Sequence, residues 1–272
     1  MSTLYAVPWY ECNLSCPHCH VSKRDVKFDK EKFLESLNNS NFDNAILFGG
    51  EPTLSWKIFN EIVSTGKVNS VSTNLTRFSD DFTKKAFVPL IEKYNLAIAT
   101  SWNLKRFDVS GNYTMERWLA NVRVLSKADV DLLVLITLTE DLIESPMDLT
   151  LYNFGLMEGA GVKKFLFEPY IGANECNEKA DEWLCTFHDA YPGLMDNLIE
   201  RKLTNWKCDC NEVFTLEPDG TIRKGCPDYI AMNELTFNDK CINCNYNDNC
   251  KPCMLQRSCS YPKKLAEKLW VM

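Results

Sequence analysis

Short apolar runs alternate with longer stretches of helical spacing over the first two thirds of the chain. Apolar residues recur three or four positions apart in 28–37, 54–63, 80–94, 115–125 and 149–157, which predicts amphipathic helices. The apolar runs 44–48, 68–73, 96–102, 130–138 and 163–169, preceded by 4–9, are typical of buried strands. Six strands that alternate with helices predict βα units and a parallel sheet.

The predicted fold class is therefore α/β. Six units are fewer than the eight of a full TIM barrel, so a partial (β/α)6 TIM-like barrel and a flat doubly wound sheet both fit the pattern. The alternation of strands and helices does not by itself distinguish the partial barrel from the flat sheet. In either architecture, the loops at the carboxyl ends of the strands build the active site.

The last quarter of the chain has a different composition. Residues 177–205 have the apolar spacing of an amphipathic helix. From 207 onward the chain is rich in Cys, Asn, Asp and Pro, and a short helix is predicted over 262–272. The pair Asp219-Gly220 between two short apolar runs predicts a β-hairpin. We expect two domains, a barrel over 1–204 and a small Cys-rich unit over 205–272.

Composition excludes several classes of protein. The 272 residues carry a net charge of −7, and basic residues occur in nothing longer than pairs, so no nucleic-acid partner is expected. No apolar run approaches the roughly 20 residues that span a bilayer, so no membrane partner is expected either. The N-terminus lacks the pattern of a signal peptide, which predicts a cytoplasmic protein.

Cysteine is abundant and unevenly placed. Of the 13 cysteines, three lie in the first 19 residues and eight between 208 and 259. Because disulfides are disfavoured in the cytoplasm, metal binding is the better interpretation, and the distribution predicts two metal-binding regions.

The first region is a C-x3-C-x2-C loop formed by Cys12, Cys16 and Cys19 after the first strand. Three thiolates on one loop can hold three irons of a [4Fe–4S] cube and leave the fourth iron without a protein ligand. An open coordination position on a metal centre indicates a catalytic site rather than a structural one.

Small and polar residues follow the next three strands. Gly49, Gly50 and Glu51 follow the second strand; the glycines would allow a ligand to approach closely, and Glu51 could accept a hydrogen bond from an amine. Ser72, Thr73 and Asn74 end the third strand, and Ser101 ends the fourth. The alternatives are a simple strand-to-helix turn at Glu51 and helix N-caps at the others.

The cysteine spacing, with His18 before the last cysteine and Gly-Gly-Glu about 30 residues later, resembles the radical S-adenosylmethionine (radical SAM) enzymes. The resemblance implies a six-stranded partial barrel whose cluster binds S-adenosylmethionine (AdoMet) at its open iron. One electron then cleaves AdoMet to methionine and a 5′-deoxyadenosyl radical that abstracts a substrate hydrogen. It also implies that His18 packs near the adenine, that Gly49-Gly50-Glu51 contacts the AdoMet amino group, and that Ser72, Thr73, Asn74 and Ser101 contact AdoMet.

The second cysteine region resembles the SPASM domain, which holds two auxiliary [4Fe–4S] clusters. The resemblance implies one cluster on Cys208, Cys210, Cys226 and Cys253 and another on Cys241, Cys244, Cys250 and Cys259, giving three clusters in all. The chain departs from the pattern by one residue before Cys253 and by its C-x-C pair at 208–210. If one of that pair is not a ligand, the first auxiliary cluster has an open iron. Zinc is the rival metal, because C-x2-C pairs also form zinc knuckles.

Candidates for substrate chemistry lie after the later strands. Glu168 and Tyr170 end the sixth strand and could serve as base or anchor, as could Trp102, Arg106 and Asp108 after the fourth. Cys176 and Cys185 could donate a hydrogen atom, although a buried cysteine more commonly acts as a small apolar residue.

The predicted function is hydrogen abstraction followed by oxidation of the substrate radical through the auxiliary clusters, with flavodoxin or ferredoxin as electron donor. A peptide is the first candidate substrate, with cross-linking or dehydrogenation as the reaction. The alternative is a dehydrogenase or epimerase of a small alcohol, sugar or amino acid, which the compact length and the start of the loop at residue 12 also fit. A third alternative is a non-enzymatic iron–sulfur or zinc-binding protein.

Overall fold

In the part of the chain that the structure describes, the sheet contains eight strands and is open. The structure is a computed structural model that describes residues 2–19, 21, 25–107, 114–169, 178–191, 212–225 and 264. Its strands are β1 (Thr3–Ala6), β2 (Asn44–Leu47), β3 (Ser70–Ser72), β4 (Ala97–Trp102), β5 (Leu132–Leu138), β6 (Phe165–Pro169), β7 (Val213–Leu216) and β8 (Ile222–Lys224). Their order across the sheet is β6-β5-β4-β3-β2-β1-β7-β8.

The first six strands are parallel, and each lies beside its neighbour along the chain. The helices between them are α1 (Lys30–Asn39), α2 (Trp56–Val63), α3 (Asp80–Phe82), α4 (Val88–Tyr94), α5 (Met115–Lys127), α6 (Glu140–Ile143) and α7 (Met147–Gly159); α8 (Glu178–Ala190) follows β6. The predicted α/β class with six consecutive βα units is confirmed. Because β6 and β8 are both edge strands, the sheet formed by the described residues does not close into a full barrel.

The predicted hairpin is present and extends the same sheet. Strand β8 pairs antiparallel with β7, and β7 pairs parallel with β1 in the register Thr3 with Val213. The amide of Val7 donates to the carbonyl of Leu216 at 2.9 Å, so the pairing continues just past the end of β1. The boundary expected near residue 205 lies outside the described residues and stays a prediction.

The helix predicted over 80–94 is not a regular α-helix. Between α3 and α4 it contains a π-helical segment, Thr83–Phe87, in which the Val88 amide donates to the Thr83 carbonyl five residues earlier. Pro89 follows at the start of α4 and has no amide hydrogen to donate. A proline inside an α-helix also clashes with the carbonyl one turn back, and the wider turn relieves that clash.

The core lies between the sheet and the helices that cover it. Fully buried side chains from the strands pack against fully buried aromatic side chains from the helices: Leu4, Leu47, Val71, Val134 and Phe167 from the sheet, and Phe33, Phe59, Trp118 and Phe154 from α1, α2, α5 and α7. This packing fixes the carboxyl ends of β1–β4, where the polar residues of interest lie. No helix in the described ranges is long and apolar enough to cross a membrane.

Candidate active site at the strand ends

The cysteine loop begins at the end of β1 and is held against the end of β2. The Gly50 amide donates to the Trp9 carbonyl at 3.2 Å, and the Glu51 amide donates to the Glu11 carbonyl at 2.8 Å. The Trp9 indole donates to the Glu51 carbonyl at 2.7 Å. These bonds prolong the contact between β1 and β2 beyond the strands and place Cys12 beside the Gly-Gly-Glu turn.

The two glycines make room for this backbone. A β-carbon on Gly50 would lie 2.0 Å from the Glu11 carbonyl oxygen, and one on Gly49 would lie 2.5 Å from the Trp9 carbonyl oxygen. Gly49 also has φ of +136°, a region that L side chains rarely adopt. The sequence suggested that the glycines admit a ligand; in the structure the β-carbon positions face the segment that leads into the cysteine loop.

None of the three loop cysteines forms a disulfide; Cys12 and Cys16 are half-buried and Cys19 is exposed. The Cys19 amide donates to the Cys16 carbonyl at 3.1 Å, which closes a tight turn between these two residues. Burial raises the pKa of the Cys12 thiol, and the Leu14 amide, 3.4 Å from its sulfur, opposes that rise. The loop therefore offers three thiols at the edge of the sheet where polar side chains converge.

The loop supplies thiol groups of the kind that hold iron–sulfur clusters. Among the described residues, no three His, Cys, Asp or Glu side chains lie together closely enough to hold one metal ion. A four-iron cube takes its thiolates at separate corners, so it needs sulfurs spread along one loop and not around one point. Cys12, Cys16 and Cys19 lie along one loop, and as cluster ligands they stay a prediction.

Glu51 is fully buried and its carboxylate is surrounded by donors. Its Oε1 accepts from the Thr53 amide at 3.0 Å, the Thr53 hydroxyl at 2.5 Å and the Thr73 hydroxyl at 2.8 Å. Its Oε2 accepts from the Asn74 amide at 2.7 Å. Glu51 thus caps the 3-10 turn Pro52–Leu54, as the simpler interpretation of the sequence had it, and joins the ends of β2 and β3.

Asn74 connects the end of β3 to the cysteine loop. Its side-chain Nδ2 donates to the Cys12 sulfur at 3.6 Å and to Asn13 Oδ1 at 2.9 Å. Neither Thr73 nor Asn74 is a helix N-cap, because α3 is capped by Ser79. The contacts of both with AdoMet stay a prediction, as does the contact of the half-buried Ser72.

Arg106 is a buried cation at the end of β4. It is 8% exposed, and its guanidinium donates to the Ser101 hydroxyl at 2.7 Å. Its Nε is buried and has no hydrogen-bond partner among the described residues. Burial is the main cause of the raised pKa of the Cys12 thiol, and the Arg106 guanidinium is one of the smaller effects that oppose the rise. Such a side chain is suited to bind an anion.

The structure brings together only part of the predicted site. The loop cysteines, the Gly-Gly-Glu turn, Thr73 and Asn74 form one connected group, and the half-buried His18 belongs to the same loop. Glu168 lies at the end of β6 opposite Thr137, and its side chain is not described. Tyr170, Cys176 and the eight auxiliary cysteines (Cys208, Cys210, Cys226, Cys241, Cys244, Cys250, Cys253 and Cys259) lie outside the described residues.

Three members of the site were not predicted from the sequence: Asn13, Thr53 and Thr76. Each acts through hydrogen bonds to another site residue, and none stands at a position that a spacing rule would single out. The position of Asn13 directly after Cys12 was the only available signal. Cys185, by contrast, packs against the apolar core from α8, as the commoner fate of a cysteine predicted.

An open, mostly parallel α/β sheet with a three-cysteine loop after its first strand is the architecture expected of a radical SAM enzyme. Solved structures with a similar fold support this expectation. The chain matches "Native anSMEcpe with bound AdoMet and Cp18Cys peptide" with a TM-score of 0.69 and 18% identity, covering 99% of this chain and 96% of that one. It matches SuiB of Streptococcus suis bound to the precursor peptide SuiA with a TM-score of 0.62 and 14% identity, covering 98% and 73%.

Both matched proteins are radical SAM enzymes, so the resemblance predicted from the cysteine motifs is confirmed for the fold. At such low identity the likeness concerns the fold and not the substrate. No protein-family model matches the chain. A comparison with curated protein sequences finds no match either.

Proposed function

We propose that this protein is a radical SAM enzyme that modifies a peptide. The observation that carries the proposal is the three-thiol loop, hydrogen-bonded to the ends of β2 and β3 in a fold shared with AdoMet-binding enzymes. When bound, a [4Fe–4S] cluster with one open iron would supply the electron that cleaves AdoMet. Cys12, Cys16 and Cys19 would hold it.

Arg106 supports a site for the amino-acid part of AdoMet. That part carries a carboxylate, and the buried guanidinium of Arg106 needs an anionic partner. Ser101, which accepts from Arg106, was predicted to contact AdoMet and lies at the carboxyl end of β4, the strand that precedes Arg106. We infer that Ser101 and Arg106 together bind the AdoMet carboxylate.

A peptide substrate is favoured by the solved structures of the same fold. One was determined with the Cp18Cys peptide and another with the precursor peptide SuiA. Glu168, Tyr170 and Cys176 remain candidates for contact with that substrate. The eight cysteines of the second region would hold two auxiliary clusters that accept the electron from the substrate radical.

The proposal is tested with anaerobically purified protein whose iron and sulfide are restored. Wild type should contain about twelve irons per chain, as three four-iron clusters require, and should form 5′-deoxyadenosine from AdoMet when dithionite is added. Cys16→Ala should abolish this cleavage and remove about four irons. Cys185→Ala is the matched control, because it removes a cysteine that packs on the core, and it should leave cleavage unchanged.

Two results would overturn the proposal. Bound zinc in place of iron, with no AdoMet cleavage, would favour a zinc-stabilised binding protein. Cleavage that persists in Cys16→Ala would remove the loop from the chemistry. The substrate class is tested separately, by incubating the loaded enzyme, AdoMet and dithionite with synthetic peptides encoded beside its gene. A change in peptide mass that depends on AdoMet is expected.

A further inference from the structure

We propose that Asn74 is a positioning residue that donates a hydrogen bond to the Cys12 sulfur and thereby raises the reduction potential of the cluster on that loop. The inference rests on the proposed function, because it requires that Cys12 holds a cluster. It gives Asn74 a role toward the protein's own thiolate that differs from the AdoMet contact expected from the sequence. The geometry of four side chains carries it.

The amide group of Asn74 points at the sulfur. Its Nδ2 lies 3.6 Å from Cys12 Sγ and 2.9 Å from Asn13 Oδ1, so each of its two hydrogens has an acceptor. The backbone amide of Leu14 donates to the same sulfur at 3.4 Å. Hydrogen bonds to sulfur are longer than those to oxygen, and both distances are within the range for an N–H···S bond.

The orientation of the Asn74 amide is fixed by its other end. Asn74 Oδ1 accepts from the Thr76 backbone amide at 2.9 Å and from the Thr76 hydroxyl at 2.6 Å. A backbone amide can only donate, so the atom facing it must be the oxygen and the atom facing Cys12 must be the nitrogen. The usual ambiguity between the two ends of an asparagine side chain is therefore resolved.

Asn13 completes a closed ring of hydrogen bonds. Its Nδ2 donates to the Thr76 hydroxyl at 3.0 Å, while its Oδ1 accepts from Asn74. The ring runs from Asn13 to Thr76 to Asn74 and back to Asn13, and each of the three side chains donates to the next. Because Asn13 is the residue after Cys12, the ring also fixes the backbone of the cysteine loop relative to the end of β3.

The backbone of Asn74 is equally constrained. Its amide donates to Glu51 Oε2 at 2.7 Å, and Glu51 is fully buried. Asn74 itself is 3% exposed, so water cannot easily replace it as a donor to the sulfur. The N–H group is thus held in place before any cluster binds.

A donor held in this way favours the reduced form of a cluster. Reduction adds an electron whose charge is spread partly over the sulfurs, which makes them better acceptors. An N–H group aimed at one of those sulfurs then stabilises the reduced state more than the oxidised state, and the reduction potential rises. Loss of the donor should shift the potential to a more negative value.

The test is a redox titration of the anaerobically loaded full-length protein, followed by electron paramagnetic resonance. AdoMet binds only the cluster with an open iron, so the signal that changes on adding AdoMet identifies the cluster on the loop. In Asn74→Ser, the shorter hydroxyl can accept from the Thr76 amide and preserve the turn but cannot reach the sulfur. Asn74→Leu has similar volume, has no donor and excludes water. Both variants should shift the midpoint potential of that signal in the negative direction.

Asn38→Ser is the matched control. It makes the same substitution at an exposed position on α1, outside the candidate site, so its midpoint potential should equal that of wild type. An unchanged midpoint in Asn74→Ser or Asn74→Leu, at wild-type iron content, would overturn the inference, as would an equal shift in Asn38→Ser. If wild type itself takes up no iron, or shows no signal that responds to AdoMet, it is the proposed function that fails.

Discussion

The hydroxyl of Tyr10 donates a hydrogen bond to Glu217 Oε2 at 2.6 Å across 207 positions of the chain. Tyr10 stands two residues before Cys12, and Glu217 follows β7 in the turn of the hairpin. Glu217 is buried and also forms an ion pair with Arg223 on β8. This contact attaches the segment before the cysteine loop to the hairpin. The hairpin ends directly before Cys226.

We expect Tyr10→Phe to destabilise the protein by about 1.5–3 kcal/mol, because a hydrogen bond to a charged group is lost and Glu217 stays buried. The free energy of unfolding in urea measures this effect. Tyr152→Phe is the control: Tyr152 is 65% exposed on α7, so its change should stay within about 0.5 kcal/mol. Equal stabilities of the two variants would mean that the Tyr10 bond contributes nothing to folding.

Gly50 should tolerate no side chain. In Gly50→Ala the new methyl would lie 2.0 Å from the Glu11 carbonyl oxygen, a backbone atom that cannot rotate away. We expect a loss of more than about 3 kcal/mol of stability, or failure to fold, since overpacking against fixed backbone exceeds the usual cost of about 1–3 kcal/mol. Circular dichroism and urea unfolding of the purified variant would show it.

Gly155→Ala is the matched control for this substitution. Gly155 lies inside α7, and a β-carbon there meets no atom within 4 Å. Alanine is the better helix former, so this variant should be more stable than wild type by about 0.5–1 kcal/mol. Opposite signs for the two substitutions are expected, and a stable Gly50→Ala would contradict the close contact between the β2 turn and the cysteine loop.

The sequence predicted those parts of the protein whose signal is periodic or repeated. Alternating apolar runs give β1–β6 and their helices because burial on a parallel sheet demands that pattern. The Asp219-Gly220 turn gives the hairpin, but nothing local indicates that β7 pairs with β1, because strand pairing between distant segments depends on the whole sheet. The π-helical segment before Pro89 was missed for a related reason: proline signals a break, not its form.

The candidate site divides in the same way. Cys12, Cys16, Cys19 and the Gly-Gly-Glu segment follow a spacing that sequence can show. The hydrogen bonds of Glu51 and Asn74 could not be predicted from spacing, because they depend on which donors and acceptors surround these side chains in the folded protein. Asn13 and Thr76 carry no spacing signal, and only the fold brings them beside Asn74.

Glu51→Gln tests whether Glu51 stabilises the fold before any ligand binds. Its carboxylate accepts four hydrogen bonds, and a glutamine would turn an NH2 group toward at least one of those donors. We expect a loss of about 1–3 kcal/mol in the free energy of unfolding without AdoMet or cluster. Glu35→Gln, at an exposed position on α1, should change stability by less than about 0.5 kcal/mol. A purely ligand-binding Glu51 would instead leave the stability of the unloaded protein unchanged.

Arg106 should have opposite effects on stability and on AdoMet binding. Among the described residues no carboxylate pairs with its guanidinium, and a buried unpaired cation is costly. Arg106→Gln should therefore unfold at an equal or higher urea concentration than wild type.

The same variant should bind AdoMet about 10- to 100-fold more weakly, because a charge-assisted hydrogen bond to the AdoMet carboxylate contributes about 1.5–3 kcal/mol. Calorimetry with the loaded protein under anaerobic conditions measures the dissociation constant. Arg123→Gln, at an exposed position on α5, should change neither quantity. An AdoMet affinity of Arg106→Gln equal to that of wild type would show that the anion bound by Arg106 is not AdoMet.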